Sequence, residues 1–460
     1  MDRKARGLAL LVAGAFFMEV LDATVIAPAA PHIAEDLGVQ PVTVNVAITA
    51  YLLTLAVFIP ISGWLTERFG ARRVFTVAIV VFTLASAGCA LAVNLPMLVG
   101  TRMLQGVGGA LMVPVGRLVV IRTTAKADLV RAIAYLTWPA LTAPLLAPAL
   151  GGVLSTYASW RLIFLVNIPL GLAALVVARR LFPDVRSDGP GRLDWRGFLL
   201  VAAGTAALIA GLEGVAEQHP RWPLATALLV AAAATLIVTV RYLRRTPKPL
   251  VDLSILRVRT YRATALGGSV FRAVINAIPF LLPLFFQLGF GWTAAQAGLV
   301  VIALFAGNIG IKPLTTPLMR RFGMRPVMCG AVVASAACLL ALATLTGSTP
   351  LPLVLLVLAL SGVFRSIGFS TYNTVAFADV PPTRMTSANT LMSTIQELGA
   401  GLGVAVGALL VRLGATVTDG AEPRFRIAFL ALAILLAIPA VEAFRLPRTA
   451  GNVVAGRSTS

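Results

Sequence analysis

The sequence is poor in charged residues, cysteine and histidine. Only 12% of its 460 residues are charged, and it has three cysteines and two histidines, whereas roughly a quarter of the residues are charged in an ordinary soluble domain. Cys89, Cys329 and Cys338 lie in apolar stretches and lack the spacing of metal ligands. We therefore expect no metal site, and the sequence offers no persuasive set of nucleophile, base or metal ligands for an enzyme.

Long apolar runs dominate the chain instead. The mean hydropathy is +0.90, and about fourteen apolar stretches of about 20 residues can be counted, each long enough to cross about 30 Å of hydrocarbon as a helix. This pattern predicts an all-α integral membrane protein with about 14 transmembrane spans. The lipid bilayer is therefore its first expected partner.

The net charge of +20 is spread over short basic clusters between the apolar runs. No single basic face results, so we expect no nucleic-acid partner. With the N-terminus inside, most clusters fall on the cytoplasmic side and few basic residues remain outside, which is a strong positive-inside bias. Both termini are then predicted to be cytoplasmic.

A basic turn that contains glycine occurs twice at a constant offset. Leu65, Arg68, Phe69, Gly70, Arg72 and Val74 reappear as Leu318, Arg321, Phe322, Gly323, Arg325 and Val327. Because apolar runs flank both copies, the repeat predicts two related halves. We expect the first copy to be a gating loop whose charged contacts hold the cytoplasmic side in one state; its residues are Gly63, Glu67, Arg68, Gly70, Arg72 and Arg73.

Two carboxyl groups interrupt the first apolar run. Glu19 and Asp22 are three residues apart and share one helical face. Because such groups are costly inside a membrane, we expect them to face a cavity and to have a function there. The alternative is that each only hydrogen-bonds a neighbouring helix. Arg102 lies inside another apolar helix, beside a glycine cluster that allows close helix packing.

A later span contains several residues that interrupt helices. Its candidate gate residues are Pro144, Pro148, Gly151 and Gly152. In a membrane, a broken helix is tolerated where neighbours or a water-filled cavity satisfy its backbone. These residues therefore predict a helix that shapes a gate, with a helix bent only for packing as the alternative.

Charged and amide side chains recur in the apolar spans of the second half. We predict that six of them line a substrate cavity: Arg272, Asn276, Asn308, Lys312, Arg365 and Glu397. Charges there cost several kcal/mol unless they are paired or hydrated. Glu397 could pair with one cation, but it cannot neutralise three, so some positive potential should remain.

Composition also divides the chain. We predict an N-terminal bundle at 1–181, a linker with two additional transmembrane helices at 182–262, a C-terminal bundle at 263–448 and a polar tail at 449–460.

Taken together, these motifs resemble the major facilitator superfamily, and within it the fourteen-span drug:proton antiporter branch. The similar segments are Leu21 to Val25, the turn from Gly63 to Arg73, Arg102 to Gly109, Ala147 to Gly152, and Trp160 to Phe164. The resemblance implies a major facilitator fold of two six-helix bundles plus two extra helices. It also implies that Arg102 acts in proton coupling with Asp22 and Glu19. The chain departs from the family pattern at Glu67, where Asp is usual.

The resemblance implies a proton-coupled secondary transporter that exports small drug-like or lipophilic molecules by alternating access. We expect it in the bacterial cytoplasmic (inner) membrane as a monomer, driven by the proton motive force without a cofactor. The cations of the second half leave an alternative open, namely export of an anionic metabolite such as citrate or a siderophore-like carboxylate.

Overall fold

The computed structural model describes residues 3–125, 128–183, 191–216 and 222–447. Within these ranges every long regular element is a helix. The first part of the chain contains α1 (Arg3–Asp36), α2 (Pro41–Phe58), α3 (Ser62–Phe69), α4 (Ala71–Ala90), α5 (Leu95–Thr123), α6 (Leu129–Tyr157), α7 (Leu162–Leu165) and α8 (Asn167–Leu181). Two further helices are α9 (Trp195–Ala216) and α10 (Trp222–Arg245). The last part contains α11 (Arg259–Leu284), α12 (Ala294–Gly310), α13 (Lys312–Phe322), α14 (Met324–Thr344), α15 (Leu351–Ala378), α16 (Met385–Gly414), α17 (Ala421–Leu435) and α18 (Ala437–Arg445).

Most of these helices are long and apolar enough to cross a membrane. Among the described residues 12 segments qualify, and α12 with α13 makes 13 if this pair, bent by 48°, counts as one span. Helix α6 has 29 residues, although several of its side chains lie outside the described part. The multi-pass helical class predicted from the sequence is thus confirmed, and the number of spans comes close to the predicted fourteen.

The repeated turn has nearly the same geometry in both halves. Gly70 ends α3 with φ 85°, and Gly323 ends α13 with φ 91°. Glycine is suited to both positions because a side chain would strain a backbone with positive φ. Each glycine begins the next helix directly, so the turn reverses the chain within a single residue.

An arginine two residues after each turn glycine forms a hydrogen bond to another helix of the same half. Arg72 donates to the carbonyl of Arg179 at the end of α8, 2.5 Å away. Arg325 donates to the carbonyl of Phe444 at the end of α18, 2.7 Å away. Each arginine thus satisfies a carbonyl left free at a helix C-terminus. Equivalent residues of the sequence repeat therefore make equivalent contacts in the two halves.

Most of the buried apolar residues form clusters that belong to only one of the two parts of the chain. Two buried clusters draw only on residues between 8 and 182, and another draws only on residues between 263 and 446. A fourth cluster joins both parts with α9, α10 and the segment before α11. Helix α9 packs against α10, α2 and α16. The domain boundaries given above remain predictions.

Candidate functional site: a buried ion pair beside a central cavity

Asp22 of α1 forms an ion pair with Arg102 of α5, and both side chains are fully buried. Gln105 donates to the second carboxylate oxygen of Asp22 at 2.9 Å, and Asn167 of α8 donates to the same oxygen at 2.8 Å. Ser86 of α4 accepts from both amides, at 3.1 and 2.9 Å. Helices α5 and α8 therefore supply the donors to this carboxylate, and α4 holds the two amides in place through Ser86.

The guanidinium of Arg102 has fewer of its hydrogen-bonding groups paired than the carboxylate of Asp22 has. It lies over the ring of Tyr51, 4.1 Å from the centroid, in a cation–π contact. Its Nε and Nη2 atoms are buried and have no hydrogen-bond partner among the described residues. Neutralising Asp22 would leave this cation without its anion, which is strongly unfavourable in a dry interior. Each member of the pair therefore depends on the other for its charge balance.

Asp22 does not face the central cavity, contrary to the expectation from the sequence. The cavity contacts one stripe of α1, namely Val12, Phe16, Val20 and Thr24. At about 100° per residue, Asp22 lies about 200° around the helix from Val20, on the opposite face. Three side chains, those of Arg102, Gln105 and Asn167, donate to the carboxylate there.

Glu19 is not among the residues that line the central cavity either, contrary to the expectation from the sequence. One of its carboxylate oxygens is buried without a hydrogen-bond partner among the described residues. It lies within electrostatic range of Glu397, Arg117 and Asp22. Glu19 is thus a titratable group placed between the ion pair and the charged groups at the cavity.

A cavity of about 440 Å³ lies between the two halves. Five of the six predicted residues line it: Arg272, Asn276, Asn308, Arg365 and Glu397. Apolar side chains from both halves complete the wall, among them Phe16, Val113, Ile275 and Phe369. The structure thus brings these five residues together at one cavity, and their role in binding a substrate remains a prediction.

The polar groups at this cavity are mostly not paired with one another. Arg272 lies over the ring of Phe369, 4.7 Å from its centroid. Arg365 Nη1 and Asn308 Oδ1 are buried without partners in the described part of the chain. Among the ion pairs of the described residues, none includes Glu397. The alternative that Glu397 is paired with a cation therefore does not hold in this arrangement.

Lys312 is the exception among the predicted cavity residues. Its Nζ donates to Ser370 at 2.8 Å and to Thr137 of α6 at 3.3 Å. It lines a separate groove between α6 and α13. The bend between α12 and α13 separates Lys312 from Asn308, which stays at the cavity, so spacing along a continuous helix misplaces the lysine.

Arg117 is a site residue that sequence reasoning does not single out. Its guanidinium donates to Asn389 at 3.1 Å, to Gln396 at 2.7 Å and to Ser393, all on α16 of the other half. It also lines the central cavity. The available signal was a second arginine inside the apolar run that contains Arg102.

Further contacts between the halves lie at one end of the helix bundle. This end, here called the basic end, contains the first residues of α1 and the last residues of α18. Arg122 donates to Thr386 at 2.5 Å, and Asn389 donates to the carbonyl of Pro114 at 2.9 Å. Gly63 lies so close to Thr390 that an added Cβ would collide with its hydroxyl. The basic end is therefore closed.

The predicted gating loop takes part in this closure less directly than expected. Glu67 is within electrostatic range of Arg122, whereas Arg72 binds within its own half. Arg68 and Arg73 are exposed. The bonds that cross between the halves come mainly from α5, because its arginines reach α16 directly.

The proline- and glycine-containing segment lies on α6, which is one continuous helix in the structure. Pro144 lines the cavity, and a Cβ on Gly151 would lie 2.5 Å from the carbonyl of Val25 on α1. Gly152 faces open space, and the side chain of Pro148 lies outside the described part. Close packing against α1 is thus visible for Gly151, and a gating role remains a prediction.

A second chamber of about 490 Å³ continues from the cavity toward the end opposite the basic end. Both spaces share Thr24, Pro144, Asn276, Arg365 and Glu397. Helix α9 forms part of its wall through Ile209, Leu212 and Glu213. The charged interior therefore extends toward the outer end while the basic end is closed.

Two repeated halves that enclose a polar cavity within a multi-pass helical protein define a transporter rather than an enzyme. The sequence model described as Major Facilitator Superfamily matches residues 12–404, and a second match covers residues 264–458. The chain belongs to the major facilitator superfamily.

Relatives of known name extend over almost the whole chain. It is 37% identical over 457 residues to the "Putative multidrug resistance protein MdtD" of Salmonella paratyphi A, covering 97% of this chain and 96% of that protein. The protein of the same name from Enterobacter sp. strain 638 gives the same identity and coverage. The resemblance to the major facilitator superfamily expected from the sequence is thus confirmed.

Solved structures show the same fold at low identity. The human organic anion transporter MFSD10 (TETRAN) aligns with a TM-score of 0.70 at 14% identity, over 96% of this chain and 100% of that one. The proton:xylose symporter XylE, bound to 6-bromo-6-deoxy-D-glucose, aligns with a TM-score of 0.66 at 16% identity, over 97% of each chain. These similarities concern the fold alone.

Proposed function

We propose that this protein is a proton-coupled exporter of small molecules that works by alternating access in the bacterial cytoplasmic membrane, with both termini in the cytoplasm. The observation that carries the proposal is the dry Asp22–Arg102 pair, placed one helix away from a cavity with unpaired charges. The basic clusters near the helix ends support this orientation.

Helix α1 connects the proton site to the cavity. One face carries Asp22, and the opposite face carries Val20 and Thr24 at the cavity wall. When Asp22 takes up a proton, Arg102 loses its anionic partner, and the helices around the pair must rearrange to stabilise the cation. A movement of α1 then changes the cavity wall directly. Glu19 would supply a second protonation site on the route between them.

The proton gradient is large enough for this work. One proton that crosses about 100 mV supplies about 2.3 kcal/mol, and one pH unit adds about 1.4 kcal/mol. Opening the basic end breaks the bonds of Arg117, and a hydrogen bond to a charged group contributes about 1.5–3 kcal/mol. These energies are of the same size, so proton binding can bias the two states.

Proton movement in proteoliposomes tests the coupling. With an imposed pH gradient and substrate present, Asp22→Asn should abolish substrate-linked proton flux. Asp36→Asn is the matched control, because Asp36 forms a half-exposed ion pair with Arg161 near the outer end, 2.7 Å long. Unchanged flux in Asp22→Asn would exclude this proton site.

For the substrate we propose drug-like or lipophilic molecules. The cavity walls are largely apolar, with Phe16, Val113 and Phe369 from both halves. Glu397 at the cavity would attract a cationic group. The name of the MdtD relatives agrees with such a substrate.

A second candidate is an anionic metabolite with several carboxylates, such as citrate or a siderophore-like carboxylate. The observation in its favour is the charge at the cavity, where Arg117, Arg272 and Arg365 face a single glutamate, Glu397. Arginine binds carboxylates in bidentate geometry. An anion would therefore gain two charge-assisted contacts there.

Paired variants separate the two substrates. Arg272→Gln with Arg365→Gln should reduce transport of a tricarboxylate by at least about tenfold and leave a lipophilic cation unaffected. Glu397→Gln should instead reduce transport of the lipophilic cation and leave transport of the tricarboxylate unaffected. Lys312→Gln is the control, since Lys312 lies in a separate groove. Loss of cation transport alone in the double arginine variant would contradict the anionic substrate.

A further inference from the structure

The groove that contains Lys312 lies on the side of the bundle where α6 of the first half meets α13 of the second. Its volume is about 590 Å³. Its lining combines basic, aromatic and proline side chains: Arg131, Tyr135, Trp138, Lys312, Pro313, Thr316, Pro317 and Arg320. No residue of this groove is shared with the central cavity lining. The transport site therefore does not account for it.

The two arginines of this groove lie at one level. Arg131 is two residues from the start of α6 and Arg320 is two residues from the end of α13. Both helix ends are at the basic end, where the membrane surface is expected. Trp138 lies seven residues further along α6 than Arg131, about 10 Å deeper at 1.5 Å per residue. The groove is thus basic at the surface, and below it Trp138 lies near the level of Lys312, whose Nζ is already bonded to Ser370 and Thr137.

Positive charge prevails at the upper part of the groove. Arg6 lies over the ring of Tyr135, 5.6 Å from its centroid, and adds a further cation. Asp128 interacts electrostatically with Arg131 and Arg320. Among the described residues at this level, the three cations Arg6, Arg131 and Arg320 thus outnumber this acid.

The lower part is open toward the surroundings of the bundle. Trp138 is 48% exposed, and Pro313 and Pro317 are also exposed. In a membrane these side chains contact lipid. A soluble anion would satisfy the arginines only and would leave this apolar wall uncovered, whereas a molecule with an anionic head and an acyl chain fits both parts.

We propose that this groove between α6 and α13 is a binding site for an anionic phospholipid, whose phosphate contacts Arg131 and Arg320 and whose acyl chain lies along Trp138. Basic pockets between transmembrane helices on the cytoplasmic side are the sites where anionic headgroups bind. The site joins the two halves, and it is separate from the cavity.

Native mass spectrometry of the full-length purified protein tests the site. Phosphatidylglycerol and phosphatidylcholine with identical acyl chains are added at equal concentrations, and inorganic phosphate is added in a third series. We expect phosphatidylglycerol to bind at least about tenfold more tightly than phosphatidylcholine. The variant Arg131→Gln with Arg320→Gln should lose this preference.

The control variant is Arg241→Gln with Arg245→Gln, which removes two exposed arginines at the basic end of α10. It should keep the preference for phosphatidylglycerol. Should the double variant not fold, Arg131→Gln alone changes only an exposed residue and should lower the preference severalfold. The proposal would be overturned if the wild type and the groove variants bound phosphatidylglycerol equally, or if the control variant lost the preference as well. It would also be overturned if inorganic phosphate bound as tightly as the lipid, or if a protein dimer formed in place of a lipid complex.

Discussion

Asp22 and Arg102 have no exposed side-chain surface, and the amides of Gln105 and Asn167 also donate to the carboxylate. Because both side chains are fully buried, each charge is stabilised by the other, and water cannot replace a partner that is removed. A surface pair such as Asp36–Arg161 has water available to both groups and contributes much less. Position, rather than residue type, distinguishes these two ion pairs.

The stability of the buried pair can be measured directly. Asp22→Asn should lower the free energy of unfolding by about 3–5 kcal/mol, since it leaves Arg102 buried without its anion. The double variant Asp22→Asn with Arg102→Gln should recover part of that loss, because no buried charge remains. Thermal unfolding of the purified protein provides the measurement. A double variant less stable than Asp22→Asn alone would show that the cation is stabilised by other groups.

A pH dependence is expected outside the membrane spans, at Asp252. Burial by itself would raise the pKa of this carboxyl, but hydrogen bonds from Ser254 and Arg384 outweigh burial and lower the pKa below its ordinary value of 3.8. A lowered pKa means that the ionised contact with Arg384, 3.1 Å long, stabilises the fold above pH 3.8. This stabilisation is lost as the pH falls through the lower, folded-state pKa.

Asp252→Asn should therefore reduce stability at pH 7 by no more than about 1 kcal/mol, the usual size for a partly exposed pair. Its unfolding temperature should approach that of the wild type as the pH falls below 3.8. Asp419→Asn, a change at an exposed position, should show no such convergence. A difference between Asp252→Asn and wild type that grows toward low pH would reverse the assigned sign.

At the scale of helices, glycine decides how closely neighbours can approach α5. A Cβ on Gly106 would lie 2.7 Å from the carbonyl oxygen of Tyr51 on α2, and one on Gly108 would lie 2.8 Å from the backbone nitrogen of Phe82 on α4. Helices α2 and α4 thus contact α5 on two sides through its backbone. This close packing brings Arg102 next to Asp22 and Tyr51.

Gly106→Ala should consequently destabilise the protein by about 1–3 kcal/mol, as expected when a well-packed contact is overfilled. Gly100→Ala on the same helix is the matched control, because its Cβ meets nothing within 4 Å, and it should be neutral or slightly stabilising. Unfolding temperatures and substrate-linked proton flux are the measurements. Equal effects at both positions would indicate that helix propensity, not packing, controls the outcome.

At the scale of the whole molecule, Arg117 connects the two halves at the basic end through three side chains of α16. Alternating access requires these bonds to break when the basic end opens. The closed arrangement should therefore depend on Arg117 more than on the exposed arginines of the repeated turn.

Arg117→Gln should shift the population toward a basic end that is open. Spin labels at Ala125 and Phe322, both exposed at this end in different halves, should give longer and broader distances in a background without the native cysteines. Arg365→Gln removes a buried cation that lines the cavity and should leave the distances unchanged. A distance distribution unaffected by Arg117→Gln would show that apolar contacts alone keep this end closed.

The class of this protein follows from its sequence, which also pointed to five polar residues that lie at the cavity. Apolar runs of membrane-spanning length require helices, because a backbone in hydrocarbon must satisfy its own hydrogen bonds. The repeated turn indicated two halves, and the cost of intramembrane charge pointed to Arg272, Arg365 and Glu397. These inferences succeed because they depend on local composition and spacing.

Only the tertiary structure decided which charges meet. It turned Asp22 away from the cavity, placed Lys312 beyond a helix bend, and brought Arg117 to α16 of the other half. Helix rotation, bending and the packing of distant segments control these positions, and none of them follows from local spacing. The physical reason is that an ion pair within a membrane protein is formed by whichever helices approach most closely, and that approach is settled by packing across the entire bundle.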